Sequence, residues 1–126
     1  MIIGIGTDIV EIGRIEQTLE RFGTHFMNKI FAEHERDYCL SRSRPAEGFA
    51  VRFAAKEAFA KAIGTGWTDM FSWRDISVGR ATGAQDGRPY LILNGTLAER
   101  WNHARFHVSL SHTHRYATAT VIIEAD

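Results

Sequence analysis

The sequence predicts an α+β fold: an antiparallel sheet with a long central helix. Three patterns carry this prediction. A glycine-punctuated apolar run opens the chain, helical periodicity dominates up to residue 63, and short alternating runs dominate after Trp67.

Met1–Asp8 reads as a strand ending at Asp8. Alternation puts Ile3, Ile5 and Thr7 on one face, and Ile2, Gly4, Gly6 and Asp8 on the other. The glycines weaken the strand but bare its backbone beside Asp8, so that something can approach closely. Ile12, Ile15, Leu19 and Phe22 recur at helical spacing and predict an amphipathic helix stopped by Gly23. A further helix is expected from Ala32 to Leu40, with a loop over Arg42–Pro45. From Ala46 an alanine-rich segment should run as one helix to Ile63, closed by Gly64 and Gly66. Trp73–Val78 and Tyr90–Leu93 flank the loop Gly83–Pro89 as a hairpin. Thr96–Trp101 reads as a short helix. Phe106–Ser111 and Tyr116–Glu124 read as a second hairpin around Thr113–Arg115.

Composition narrows the classes. The 126 residues suit one domain, 1–126, with a modest core. With 44% apolar and 24% charged residues, disordered and fibrous classes are excluded. Fifteen basic residues cancel fifteen acidic ones, so no global field favours nucleic acid or an anionic membrane, and an acidic partner must meet a local patch. Cys39 is the only cysteine, which rules out an intrachain disulfide or a cysteine-based zinc site and suits a reducing, cytoplasmic setting. It is expected as a small buried apolar residue. No apolar run approaches the ~20 residues of a membrane span, and the start lacks the basic region of a signal peptide.

The chemistry concentrates in Arg52-Phe53-Ala54-Ala55-Lys56-Glu57-Ala58, continuing through Lys61 to Gly64. On a helix, one carboxylate stands here among three cations, before a glycine end whose bare backbone could touch a ligand. A solvated Glu57–Lys61 pair is the plainer reading, worth roughly 0.2–0.5 kcal/mol. Together with Asp8, however, Glu57 offers two hard oxygen ligands beside basic residues, a set suited to Mg²⁺ carrying a diphosphate. Alone, Asp8 reads equally as a turn or helix-capping residue. In the late strand, Phe106, Val108 and Leu110 alternate inward, which gathers His107, Ser109 and Ser111 on the other face as a solvated row or as neutral donors to a ligand. Arg14 and Arg21 are two turns apart on the first helix and form a candidate docking strip for an acidic protein. No nucleophile elbow, P-loop or nucleic-acid signature occurs.

Taken together, Ile3–Glu11 with Arg14, then Phe31 and Glu35-Arg36, Arg52–Ala58, Lys61–Gly66, Gly87-Arg88-Pro89, His107–Thr113 and Tyr116-Ala117 resemble the bacterial holo-[acyl-carrier-protein] synthases. These form the small branch of the 4′-phosphopantetheinyl transferase superfamily, and the resemblance covers nearly the whole chain. It implies that family's fold and its reaction, in which the phosphopantetheine arm of coenzyme A moves onto a serine of acyl carrier protein for fatty acid synthesis. It implies Mg²⁺ held by Asp8 and Glu57, and a homotrimer with sites at subunit interfaces. Larger relatives carry another metal-binding acid two residues after the first; here that position is Val10. By the same resemblance Lys61 and Arg52 meet phosphates, Gly64, Ser109, Ser111 and His112 approach the coenzyme, and Asp8, Glu57 and Lys61 are the catalytic set. Acyl carrier proteins are acidic, which gives the Arg14/Arg21 strip its partner. Glu57, through a metal-bound water, and Lys61 are both candidates for the base.

Overall fold

The computed structural model describes residues 1–64, 72–81 and 87–126. Strand β1 (Ile2–Glu11) leads into α1 (Ile12–Phe22), α2 (Thr24–Ile30), α3 (Glu33–Leu40) and α4 (Pro45–Ile63). A 3₁₀ turn at Trp73–Asp75 precedes β2 (Ile76–Arg80); β3 (Pro89–Leu93), α5 (Gly95–Arg100), β4 (Arg105–His112) and β5 (Tyr116–Glu124) follow. The α+β class holds. Among the described residues the strands form two antiparallel sheets, ordered β1-β5-β4 and β2-β3.

Several boundaries differ from expectation for physical reasons. β1 runs three residues past Asp8 because Ile9, Val10 and Glu11 keep pairing with Thr118, Ala117 and Tyr116. Asp8 is therefore a mid-strand residue opposite Ala119, and it caps no helix. The first amide of α1 instead donates to the Arg115 carbonyl at 2.9 Å. Helix α2 was not anticipated. Gly23 takes φ 52° and lets a new helix start one residue after α1 ends, too short for periodicity to announce it. α4 starts at Pro45, whose fixed φ suits a first helical position, and ends on Gly64 at φ 81°. Gly66 and residues 83–86 of the expected hairpin loop lie outside the described residues. β2 begins only at Ile76, because Trp73–Asp75 coil with the Asp75 carboxylate accepting the Ser72 amide at 2.9 Å.

Helix α4 is the axis of the molecule. One core cluster joins Ala54, Ala58, Phe59 and Ala62 to Val121 and Ile123 of β5 and to Ile76 and Val78 of β2. The other joins Phe49, Ala50 and Val51 to Ile12, Ile15 and Phe31. Alanine suits this position because it propagates a helix while letting neighbours come close. The approach is tightest at β1: a β-carbon on Gly4 would lie 2.3 Å from the Ala62 carbonyl oxygen, and one on Gly6 2.0 Å from that of Ala58. What approaches the bare strand is thus the helix backbone rather than a ligand.

Two buried charges fasten α4 on its other side. Lys56 and Glu35 are fully buried, with Lys56 Nζ 2.9 Å from Glu35 Oε1. The ammonium also donates to the carbonyls of Trp73, at 3.1 Å, and Ile76. Glu35 accepts the Ala32 amide through Oε1 and the Val78 amide through Oε2, both at 2.9 Å. Burial pushes the Lys56 ammonium's pKa down, while Glu35 opposes that fall.

The three-stranded sheet packs one face on α4 and leaves the other open. Cross-strand rows on the open face read Ile5–Ile122–His107, Thr7–Thr120–Ser109 and Ile9–Thr118–Ser111. Ile5 is 65% and Ile9 63% exposed, an apolar display that water alone does not favour. At the sheet's end Glu124 pairs with His107 at 2.9 Å and with Arg105 at 3.4 Å, and those hydrogen bonds hold its carboxyl below the usual range.

Candidate active site

Asp8 and Glu57 line one cavity of about 520 Å³. Asp8 reaches it because Gly4 and Gly6 seat β1 directly on α4, and Glu57 because its place on the helix turns it toward that strand. Lys61, one turn after Glu57, places Nζ 3.1 Å from Asp8 Oδ1 and 3.0 Å from the Thr7 carbonyl. Its side chain is 55% exposed and Asp8's 18%, so the lysine stands on the solvent side of the carboxylate. Arg14 lines the same cavity from α1, with Glu11, 3.8 Å away, as a loose partner. Arg21 lies further along α1 with its guanidinium 5.2 Å from the Phe22 ring.

The other two cations of the helix motif point elsewhere. Lys56 is consumed by its buried partners. Arg52 is 1% exposed, donates to the Gly48 carbonyl at 3.2 Å, and lies 4.4 Å from the centroid of the Tyr38 ring. The expected cradle of three cations around Glu57 is therefore corrected: Lys56 and Arg52 are engaged elsewhere, and Lys61 stands against Asp8. Successive residues on a helix diverge by about 100°, so neighbours in sequence serve different surroundings.

Arg52 belongs to a second cavity of about 200 Å³, lined also by Tyr38, Arg42, Arg44, Arg80 and His112. Three guanidiniums converge on one phenol ring: Arg52, Arg80 at 5.3 Å and Arg42 at 5.4 Å. Arg52 Nε is buried without a hydrogen-bond partner, an orphaned donor in a cationic pocket. His112 faces this side, with Nδ1 3.2 Å from Glu47 Oε2. Ser109 and Ser111 stand on the sheet's open face, away from α4, and Gly64 is exposed at the helix end. A single chain thus unites Asp8, Glu57, Lys61 and Arg14, and separates them from Arg52, His112, Ser109 and Ser111. Sequence reasoning missed Glu11, Phe53 and Tyr116 as cavity walls. They come from three different elements, so no spacing could link them.

A family model described as the 4′-phosphopantetheinyl transferase superfamily matches residues 4–121. The chain belongs to that superfamily. Among its relatives, a holo-[acyl-carrier-protein] synthase of Koribacter versatilis is 46% identical over 127 residues, covering 98% of this chain and 99% of that protein. Among solved transferases of this kind, the Neisseria meningitidis holo-[acyl-carrier-protein] synthase superposes with a TM-score of 0.86 at 37% identity, covering 98% of this chain and 99% of that one. The Bacillus anthracis enzyme, solved in complex with CoA (3′,5′-ADP), gives 0.80 at 38% identity over 100% of this chain and 99% of its own. Among the described residues, no helix is long and apolar enough to cross a membrane.

Proposed function

We propose that this chain is a cytoplasmic transferase, one domain over residues 1–126, that moves 4′-phosphopantetheine from coenzyme A to a serine of acyl carrier protein. The carrying observation is the meeting of Asp8 and Glu57, distant in sequence, in one cavity with Lys61 3.1 Å from Asp8. In the reaction the serine oxygen bonds to the β-phosphorus, the bond from that phosphorus to the bridging oxygen breaks, and adenosine 3′,5′-bisphosphate leaves with the electron pair. The serine proton passes to a base.

The donor set fits Mg²⁺. Two carboxylates supply hard oxygens at a cavity with room for phosphate, and Mg²⁺ usually completes its shell with phosphate oxygens and water. Asp8 and Glu57 would hold the ion; when bound it would neutralise charge developing on the diphosphate. Lys61 is the chain's own contribution to that neutralisation, since its ammonium, bonded to Asp8 and the Thr7 carbonyl, lies on the solvent side where an incoming phosphate would meet it. Arg52, with its orphaned Nε, and the neighbouring arginines suit the remaining phosphates of the nucleotide end.

The separation of these groups within one chain supports a homotrimer with shared sites. A neighbouring copy would bring its arginine pocket or its Ser109/Ser111 row, together with Gly64 and His112, to the Asp8–Glu57 cavity. The exposed isoleucines of the open sheet face supply the apolar surface that such association buries. Arg14 at the cavity rim, with Arg21 behind it, suits the acidic carrier.

Incubating the protein with coenzyme A, Mg²⁺ and an apo carrier, then weighing the carrier, tests the proposal. A carrier heavier by one phosphopantetheine is expected. An unchanged carrier beside hydrolysed coenzyme A would mean a nucleotide hydrolase instead.

A further inference from the structure

Lys56 sits next to Glu57 in sequence, yet the proposed chemistry gives it no part. Its ammonium has three protons and three acceptors: Glu35 Oε1, the Trp73 carbonyl and the Ile76 carbonyl. These lie on α3, on the 3₁₀ turn and at the start of β2, so one side chain ties α4 to three separate pieces of backbone. Glu35 extends the tie, because its other oxygen takes the Val78 amide of β2. The turn is further braced where Trp73 stacks on Phe53 at 5.2 Å, and Phe53 is a wall of the Asp8–Glu57 cavity.

We infer that Lys56 is a positioning residue that fixes the rotation of α4 and thereby the place of the Glu57 carboxylate. The inference rests on the function proposed above. Beyond the general core packing of the helix, two restraints bear directly on the site. Gly4 and Gly6, pressed on the Ala62 and Ala58 carbonyls, set how close β1 and its Asp8 come to α4. The contact of glycine on helix backbone limits distance, and having no side chain of its own at Gly4 or Gly6 it does less to resist rolling. The Lys56 bonds, on another side of the helix, resist the roll. A carboxylate about 6 Å from the helix axis moves ~1 Å for a 10° rotation, and a displacement of that size costs on the order of 10²-fold where groups must be aligned.

The alternative is a purely structural pin, holding β2 to α4 for stability alone. Losing one partner of a buried pair destabilises strongly, so stability cannot discriminate. Metal affinity can. Two variants are compared with the wild type, K56M and E35Q; the latter keeps the side chain's shape but only one acceptor oxygen, so its NH2 group gives up either the Val78 amide or the Ala32 amide with Lys56. Mn²⁺ in the presence of coenzyme A is titrated and followed by electron paramagnetic resonance, alongside transfer rates and melting curves. Positioning predicts Mn²⁺ binding weakened at least tenfold in K56M and severalfold in E35Q at temperatures where both are folded. It also predicts a fall in kcat with the KM for carrier protein unchanged. Lower melting temperatures with wild-type Mn²⁺ affinity in the folded variants would overturn it; should K56M not fold, E35Q alone decides. A wild-type protein that neither binds Mn²⁺ nor modifies the carrier would overturn the proposed function itself, which is a separate outcome.

Discussion

The carbonyl of Ala58 lies so near Gly6 that a β-carbon there would stand 2.0 Å from its oxygen. No rotamer relieves such a clash, since both partners are backbone. Gly6→Ala should therefore push β1 from α4, lowering stability by at least about 1–3 kcal/mol. For a chain of this size that is a fall in Tm of roughly 5 °C or more. It should also part Asp8 from Glu57 and depress transfer beyond the loss of folded protein. Gly13→Ala is the matched control: a β-carbon there meets nothing within 4 Å, in a helix, so stability should rise by ~0.5–1 kcal/mol. Melting curves of the two variants check both signs.

Asp8→Ala and Glu57→Ala should each abolish transfer while leaving the fold intact, because both side chains line a solvent-reached cavity. Removing divalent ions with a chelator should reproduce that loss in the wild type, reversibly. Near-normal turnover of either variant at saturating Mg²⁺ would refute a two-carboxylate site.

Arg14→Glu combined with Arg21→Glu should raise the KM for carrier protein by an order of magnitude or more and leave that for coenzyme A nearly unchanged. Arg14 is 78% exposed at the cavity rim, where a charge acts on encounter with a partner. The wild-type carrier KM should rise with salt, and that dependence should flatten in the variant. Equal effects on both substrates would argue against a docking strip.

Ile5→Asp and Ile9→Asp place charge in the exposed apolar rows of the sheet. If copies associate through this face, each variant should sediment as a smaller species and lose activity at dilute concentration. A wild-type protein that sediments as a fully active monomer would contradict shared sites.

Cys39 is fully buried, and burial pushes its thiol up to about 11 despite the opposing pull of Arg52. Burial and the raised pKa both keep Cys39 an unreactive thiol near neutral pH, so the native protein should resist thiol reagents and react on unfolding. Rapid native labelling at pH 8 would show an open Cys39 environment.

Asp8, Glu57 and Lys61 drew notice only in combination, since alone the acid after spaced glycines reads equally as a turn residue and the acid and lysine one turn apart as a solvated pair. The outward row of His107, Ser109 and Ser111 was legible in itself, since strand alternation is a local rule. Lys56 and Arg52 were misread only as companions of Glu57. Periodicity gives the phase of a helix but not how many sides are covered, and α4 is enclosed nearly all round, burying both cations against partners from α3, the 3₁₀ turn and β2. Gly4 and Gly6 were singled out correctly as a place of close approach, but what approaches comes from 50 positions or more downstream and could not be read from the strand itself.

The three guanidiniums gathered on Tyr38 bear on how the protein is handled. Like charges gathered around one ring repel one another, and a bound polyanion would offset that repulsion. Sulfate, phosphate or citrate in a buffer would then act as a weak stabiliser and, on the proposal that this pocket takes the nucleotide end, as a competitor of the donor. Thermal shifts and donor affinities measured in such buffers would mislead in opposite directions, and chloride or acetate buffers of matched ionic strength avoid both errors.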